Sequence, residues 1–158
     1  MGRSGLSYLE KTSKDVFGNT VDTPSALDRR TVKRFHCSAA ITIGDWVALD
    51  TGQTNSARAI TVVEAAAVAT GNPLVVGVAI TTGVAGGQVD VVTRGYVEGA
   101  SVANAVNAAG LALVVDNTAA GQAVAIVAAD IAPPCGVSLE AAAGNFADVF
   151  VFGLGSDS

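Results

Sequence analysis

Residues 77–95 read Gly-Val-Ala-Ile-Thr-Thr-Gly-Val-Ala-Gly-Gly-Gln-Val-Asp-Val-Val-Thr-Arg-Gly. Two Val/Ile/Thr-rich runs flank the glycine cluster Gly83 to Gly87, and glycine supplies the positive φ of a hairpin turn without strain. The stretch is a β-hairpin, with strands expected at 74–80 and 88–93. A phosphate loop is the other use of such glycines, but no Gly-Lys-Ser/Thr follows and the run leads into a strand rather than a helix.

The hairpin recurs. Gly136-Val137-Ser138-Leu139-Glu140-Ala141 leads through Ala143-Gly144 to Asp148-Val149-Phe150-Val151-Phe152-Gly153, and aligns on Gly77 to Gly95 with one deletion. Upstream, Gly44-Asp45-Trp46-Val47-Ala48-Leu49-Asp50 aligns without gaps on Gly110-Leu111-Ala112-Leu113-Val114-Val115-Asp116, each a turn glycine, an apolar strand and a closing aspartate. Two copies make a duplication and not a solenoid, which needs at least three. The pseudo-repeats span about 40–98 and 106–155. Further strands are expected at 32–35, 46–49, 59–63, 96–98, 111–115, 123–127, 136–139 and 148–152. Short helices or turns are expected in the Ala-rich pieces 64–69 and 101–109. The fold class is all-β: a compact β-barrel or sandwich built from two pseudo-repeats, with an extended N-terminal arm.

Composition agrees. The chain of 158 residues, half of them apolar, is enough for one compact domain. A third of it is Ala (29) and Val (24), against 5 Phe, 2 Tyr and 1 Trp, so the core is built from small, largely β-branched side chains. The net charge of −5 argues against a nucleic-acid partner, which would require several phosphates to be neutralised. That charge is unevenly placed. Residues 1–34 hold seven of the nine cations, Arg3, Lys11, Lys14, Arg29, Arg30, Lys33 and Arg34, against four acids. Only Arg58 and Arg94 follow, with ten acids.

Residues 1–31 scatter Leu6, Leu9, Val16, Phe17, Val21 and Leu27 among polar residues with no period of 2 or 3.6. Such a segment buries too little apolar surface to order itself, and is expected to be an arm held by a partner, with the β domain at 32–158. Extended, it reaches on the order of 100 Å at about 3.3 Å per residue. Its cations, interleaved with acids and lacking a run of aromatics to stack bases, suit an acidic protein surface. The opening residues carry no apolar stretch of the kind a secretory signal has, and no window has the 18 or so apolar residues of a membrane span. A soluble protein with no membrane partner is expected.

Catalysis is not expected. The only histidine, His36, adjoins Cys37 on a strand, where neighbours point to opposite faces and cannot form a nucleophile–base pair. Cys37 and Cys135 lie far apart and belong to no CxxC motif, so they are expected as buried free thiols. The aspartates fall at turns and strand starts, where Asp bonds its own backbone, and no calcium-loop spacing occurs. No cofactor or metal is implied. Trp46 is either the largest core piece of the first unit or an anchor at an interface, where Trp is enriched.

In their order and duplication, Gly44 to Asp50, Val76-Gly77-Val78-Ala79-Ile80 and Gly87 to Gly95 resemble the tailed-bacteriophage capsid decoration, or cement, proteins. The resemblance covers 40–155 and excludes the arm; the second unit departs from it at Leu111, in place of an aspartate, and at Cys135 before Gly136. It implies a structural virion protein, made in the host cytoplasm, that sits on the outside of an icosahedral shell and bridges major capsid subunits, often as a homotrimer. No catalytic residue comes with it. On this reading Arg3, Lys11, Lys14, Phe17, Arg29, Arg30, Lys33 and Arg34 contact the capsid. A tail or fibre adaptor is the alternative, followed by a carbohydrate-binding module, which the shortage of aromatic platforms disfavours.

Overall fold

In the computed structural model, residues 12–14, 20–22, 30–69, 71–115 and 119–153 are described. A small antiparallel pair, β1 (Thr12–Lys14) with β2 (Thr20–Asp22), stands apart from the main sheet. The rest of the fold is the all-β body expected. Its first unit is β3 (Thr31–Cys37), β4 (Trp46–Leu49), β5 (Thr61–Glu64), β6 (Val75–Ala79) and the start of β7 (Gln88–Ser101). Its second is β8 (Ala112–Val114), β9 (Val124–Ala125), β10 (Gly136–Ser138) and β11 (Phe146–Val151).

Strand order explains the duplication. The main sheet runs β3-β5-β4-β6-β7-β11-β10-β8-β9, and β3 also pairs with β7, closing the first five strands into a barrel. The second unit repeats the order and the register. Val47 faces Gly77 as Leu113 faces Gly136; Ala79 faces Val91 as Ser138 faces Val149. Gly44 donates its N–H to the Ala79 carbonyl, and Gly110 donates to Ser138, the equivalent residue. The residue pairs are those aligned from sequence alone.

β7 serves both units. Its first half pairs with β3 and β6, and its second half, from Gly95 on, pairs with β11. Sequence reading places two strands here, separated by Gly95. Gly95 does take φ +109°, but it stays in the ladder opposite Val151, so the strand bends without ending. The second half of β7 therefore acts as the β3 of unit two. The parallel pair Cys37–Val62 has its counterpart in the parallel bridge Val102–Ala123. Each unit thus contains one more strand than its sequence repeat.

The two units share one core. Phe35, Cys37, Val47, Val62, Val76, Val89 and Val91 fill the first barrel. The opposite face of the same strands, Trp46, Ala48, Val75, Val78 and Val92, packs on the interior of unit two, including Val102, Leu113, Cys135 and Val149. Strands buried on both faces lose polar alternation, which is why β6 reads Val-Val-Gly-Val-Ala.

Helices are not formed in the described parts of the Ala-rich pieces. Ala65 continues the β5 ladder by donating to the Trp46 carbonyl, while Val102, Ala103 and Val106 are buried in loops over unit two. Packing overrides alanine's helical propensity there. A short 3₁₀ turn forms instead at Asn55–Ala59, and β5 begins at Thr61 rather than 59.

Candidate interaction surface

The candidate site residues divide into three groups. Arg3, Lys11, Phe17 and Arg29 lie outside the described residues, as does most of the arm. Lys14 is the last residue of β1, opposite Thr20 in the register. Arg30, Lys33 and Arg34 belong to the barrel: β3 starts at Thr31, and Thr93 Oγ1 donates to the Thr31 carbonyl. The basic segment therefore runs into the wall of the first barrel.

On that wall β3 and β7 form a basic ribbon with cations on both faces, Lys33 on the face of Phe35 and Cys37 and Arg34 on the opposite one with His36. Thr31 faces Arg94 and Arg34 faces Asp90 across the ladder, with Lys33 and Arg34 exposed. Arg30, Lys33, Arg34 and Arg94 are four of the five cations in the described part of 30–153; the fifth is Arg58. Arg34 grips Asp90 through two bonds, Nε to Oδ1 at 2.7 Å and Nη2 to Oδ2 at 3.0 Å. These bonds hold the Asp90 carboxyl below the usual carboxylate range and raise the Arg34 guanidinium above its own. The pair is exposed, so it orients the arginine more than it stabilises the fold.

The fold does not require these charges. In unit two the register-equivalent wall carries Tyr96 for Val32, Val97 for Lys33, and Phe152 for Arg94. The same wall in unit two has no cation and carries Glu98 and Asp148, so the basic character of unit one is not a requirement of the repeat.

Of the two readings of Trp46, the structure shows the core one. It is fully buried, and its indole N–H donates to the Ser101 carbonyl at 2.9 Å. It does anchor an interface, but one inside the chain, between the two units. Its counterpart Ala112 is too small to do the same.

Reactive groups are dispersed. His36 is exposed while Cys37 is buried, on opposite faces of β3. Both cysteines are free. Asp45, Asp50 and Asp130 accept backbone N–H groups of Thr42, Gly52 and Val127 in their own turns. Gln53, Ser38 and Gly52 hold the Asp50 carboxyl below its ordinary value. Asp148 accepts the Tyr96 hydroxyl at 2.6 Å and the Gly99 N–H at 3.1 Å, tying β11 to β7 and pushing Tyr96 up to about 12. No group of three metal-ligating side chains occurs among the described residues. A groove of about 210 Å³ lies between Val68, Pro73, Ile131 and Pro133, where equivalent loops of the two units meet, and no charged side chain lines it.

Sequence reasoning missed Arg94 as a member of the ribbon because it lies 60 residues beyond the other cations. The signal was present in the hairpin pairing, which brings β7 back beside β3. Among the described residues no helix is long and apolar enough to cross a membrane. No protein-family model matches the sequence, and no curated protein does either.

Proposed function

We propose that this chain is a structural protein of a tailed-phage virion that decorates the capsid and bridges major capsid subunits. The observation that carries the reading is the basic ribbon of Arg30, Lys33, Arg34 and Arg94, continuous with a basic N-terminal segment on an otherwise acidic body. Many weak contacts spread along a segment and a ribbon add through effective concentration, which suits a protein that must resist pressure from within a shell. The order and duplication of the glycine-closed strands, which carry the likeness to cement proteins, support the same reading.

The test is removal of residues 1–29, which stops short of Arg30 and keeps the whole of β3. The truncated chain keeps its β-sheet circular dichroism and its cooperative melt, and its occupancy on expanded shells of the encoding phage falls at least about tenfold. Occupancy equal to that of the full chain overturns the reading. Binding to purified tails and not to shells replaces it with the adaptor role.

A further inference from the structure

An apolar row crosses the outer face of unit two. Tyr96 on β7 faces Phe150 on β11, Phe150 faces Val137 on β10, and Val137 faces Ala112 on β8. Residues directly opposite one another in an antiparallel ladder share a face, and all four are half-buried. Phe152, 45 % exposed, packs beside Phe150 with ring centroids 5.6 Å apart, and Leu139, equally exposed, lies two residues beyond Val137. In unit one the equivalents of Phe150 and Val137 are Val92 and Val78, which are fully buried because unit two covers them. Charge flanks the row with opposite signs. Burial alternates along β7 from Arg94 through Tyr96 to Glu98, so these side chains share the outer face, the two charges each about 7 Å from Tyr96 along the strand. Both are exposed, and among the described residues neither has an ion-pair partner.

We propose that this face joins two copies of the chain about a two-fold axis lying along the row from Tyr96 to Ala112. An isologous contact needs a self-complementary patch, and one unpaired charge of each sign, equally spaced about an apolar centre, is such a patch. Turning a second copy by 180° about the row lays Tyr96, Phe150 and Val137 against their own counterparts and interchanges the positions on either side of Tyr96. Arg94 of each copy then meets Glu98 of the other, twice in the dimer. A two-fold axis along the strand would instead set Arg94 on Arg94 and Glu98 on Glu98. The chosen turn also brings the Phe152 ring over Asp148 of the other copy, a carboxylate whose two oxygens already accept the Tyr96 hydroxyl and the Gly99 N–H. Packed sheets lie about 10 Å apart, a gap that arginine and glutamate side chains reaching from both sides can close. The dimer takes Arg94 from the ribbon and leaves Arg30, Lys33 and Arg34 of both copies to a shell, so it does not depend on the decoration reading.

Sedimentation velocity on the free full chain, with no shells present, tests it. The parent passes from monomer to dimer within the micromolar range. Arg94→Glu and Glu98→Arg each weaken the dimer at least about tenfold, since either change sets like charges against each other at both ends of the row. Combined in one chain, the two changes restore the dimer to within about threefold of the parent, because the pairs re-form with their signs exchanged. Phe152→Ser, which removes apolar area and leaves the charges, weakens it as well. All four variants keep the circular dichroism and melt of the parent, as exposed positions allow. A parent that stays monomeric across the micromolar range or assembles in threes overturns the proposal. So do single variants that associate as the parent does, or a double variant as weak as the single ones. None of these outcomes bears on the decoration reading, which the truncation decides.

Discussion

The indole of Trp46 reaches across from the first barrel to the Ser101 carbonyl in the second, 2.9 Å away, and its ring lies against Gly136. A residue of strand β4 thereby fills the core of unit two. The same carbonyl also accepts the Ala123 N–H at 3.1 Å, so one backbone group joins the bridge that completes unit two to the side chain that plugs it.

Trp46→Ala is therefore expected to cost about 3–5 kcal/mol, as for other large-to-small core changes. Both units should lose cooperativity together. Trp46→Phe loses the hydrogen bond and the distal ring atoms that lie against Gly136, costing about 1–3 kcal/mol and less than the alanine change, because much of the ring remains and Ser101 retains Ala123 as a donor. Urea unfolding followed by far-UV circular dichroism checks this, since Trp46 is the sole tryptophan and its own fluorescence is lost in the variants. Two separate transitions in the parent would show that the barrels are independent and that the seam is not their common core.

Glycines at equivalent places in the repeat should be intolerant for the same reason. A Cβ on Gly77 would run into the Val92 carbonyl, and one on Gly136 would lie 2.8 Å from both the Phe150 carbonyl and the Trp46 ring. Neither backbone can yield without opening a ladder. Gly77→Ala and Gly136→Ala are each expected to destabilise by about 3 kcal/mol or more. Gly86→Ala, at a hairpin tip with φ +77° and open space around the new atom, should cost about 1 kcal/mol, from the backbone alone. Melting temperatures of the three variants rank the sites, and equal losses would refute the close approach.

The strand-turn-strand grammar of the barrel is legible in sequence because the duplication writes it twice: Gly44 against Gly110 and Gly77 against Gly136 align by letter and also by register. What cannot be read is how one unit meets the other. Gly95 looks like a turn because φ > 0 is usually spent on turns, whereas here it bends a strand that continues to Ser101. Trp46 looks ambiguous because its face of β4 would be solvent-exposed in a single barrel and is buried only by the second. Half of the ribbon is legible as a run of cations near the N-terminus; Arg94 joins it only after β7 folds back on β3.

Glu64 should make the seam sensitive to pH. Its carboxylate lies against Gly121, whose N–H donates to Ala65 and whose carbonyl accepts from Trp46. Burial raises the Glu64 carboxyl above its ordinary value, and the nearby Asp45 charge raises it further. Burial likewise raises Asp45, against the opposing bond from Thr42. An acid whose pKa is raised on folding binds its proton more tightly in the native state, so its contribution to stability is complete at low pH. That contribution is lost as the pH climbs through the raised value. Glu64→Gln, which mimics the protonated form, should raise the melting temperature at pH 7 by about 2–4 °C for each kcal/mol recovered in a domain of this size. It should also flatten the decline in stability between acid and neutral pH. A variant that melts lower than the parent at pH 7 would show that the charge is being used and not merely tolerated.

The two thiols should be silent in the folded protein. Cys135 is buried and donates its S–H to the Leu113 carbonyl at 3.3 Å, and burial pushes its pKa up to about 12. Its thiolate is therefore scarcer than that of a thiol at its ordinary value at any pH below both. Cys37, 2 % exposed against Gly83 at the β6–β7 turn, is raised by burial as well. An aromatic disulfide reagent at pH 8 should therefore modify neither residue at the rate of a free thiol, and should titrate two per chain once guanidinium has unfolded it. The labelling rate in the folded protein should track the opening of the barrel, rising as stability falls across the glycine variants. Rapid native-state labelling of Cys37 alone would mean that the Ile41–Gly83 bridge opens locally while the rest of the barrel stays closed.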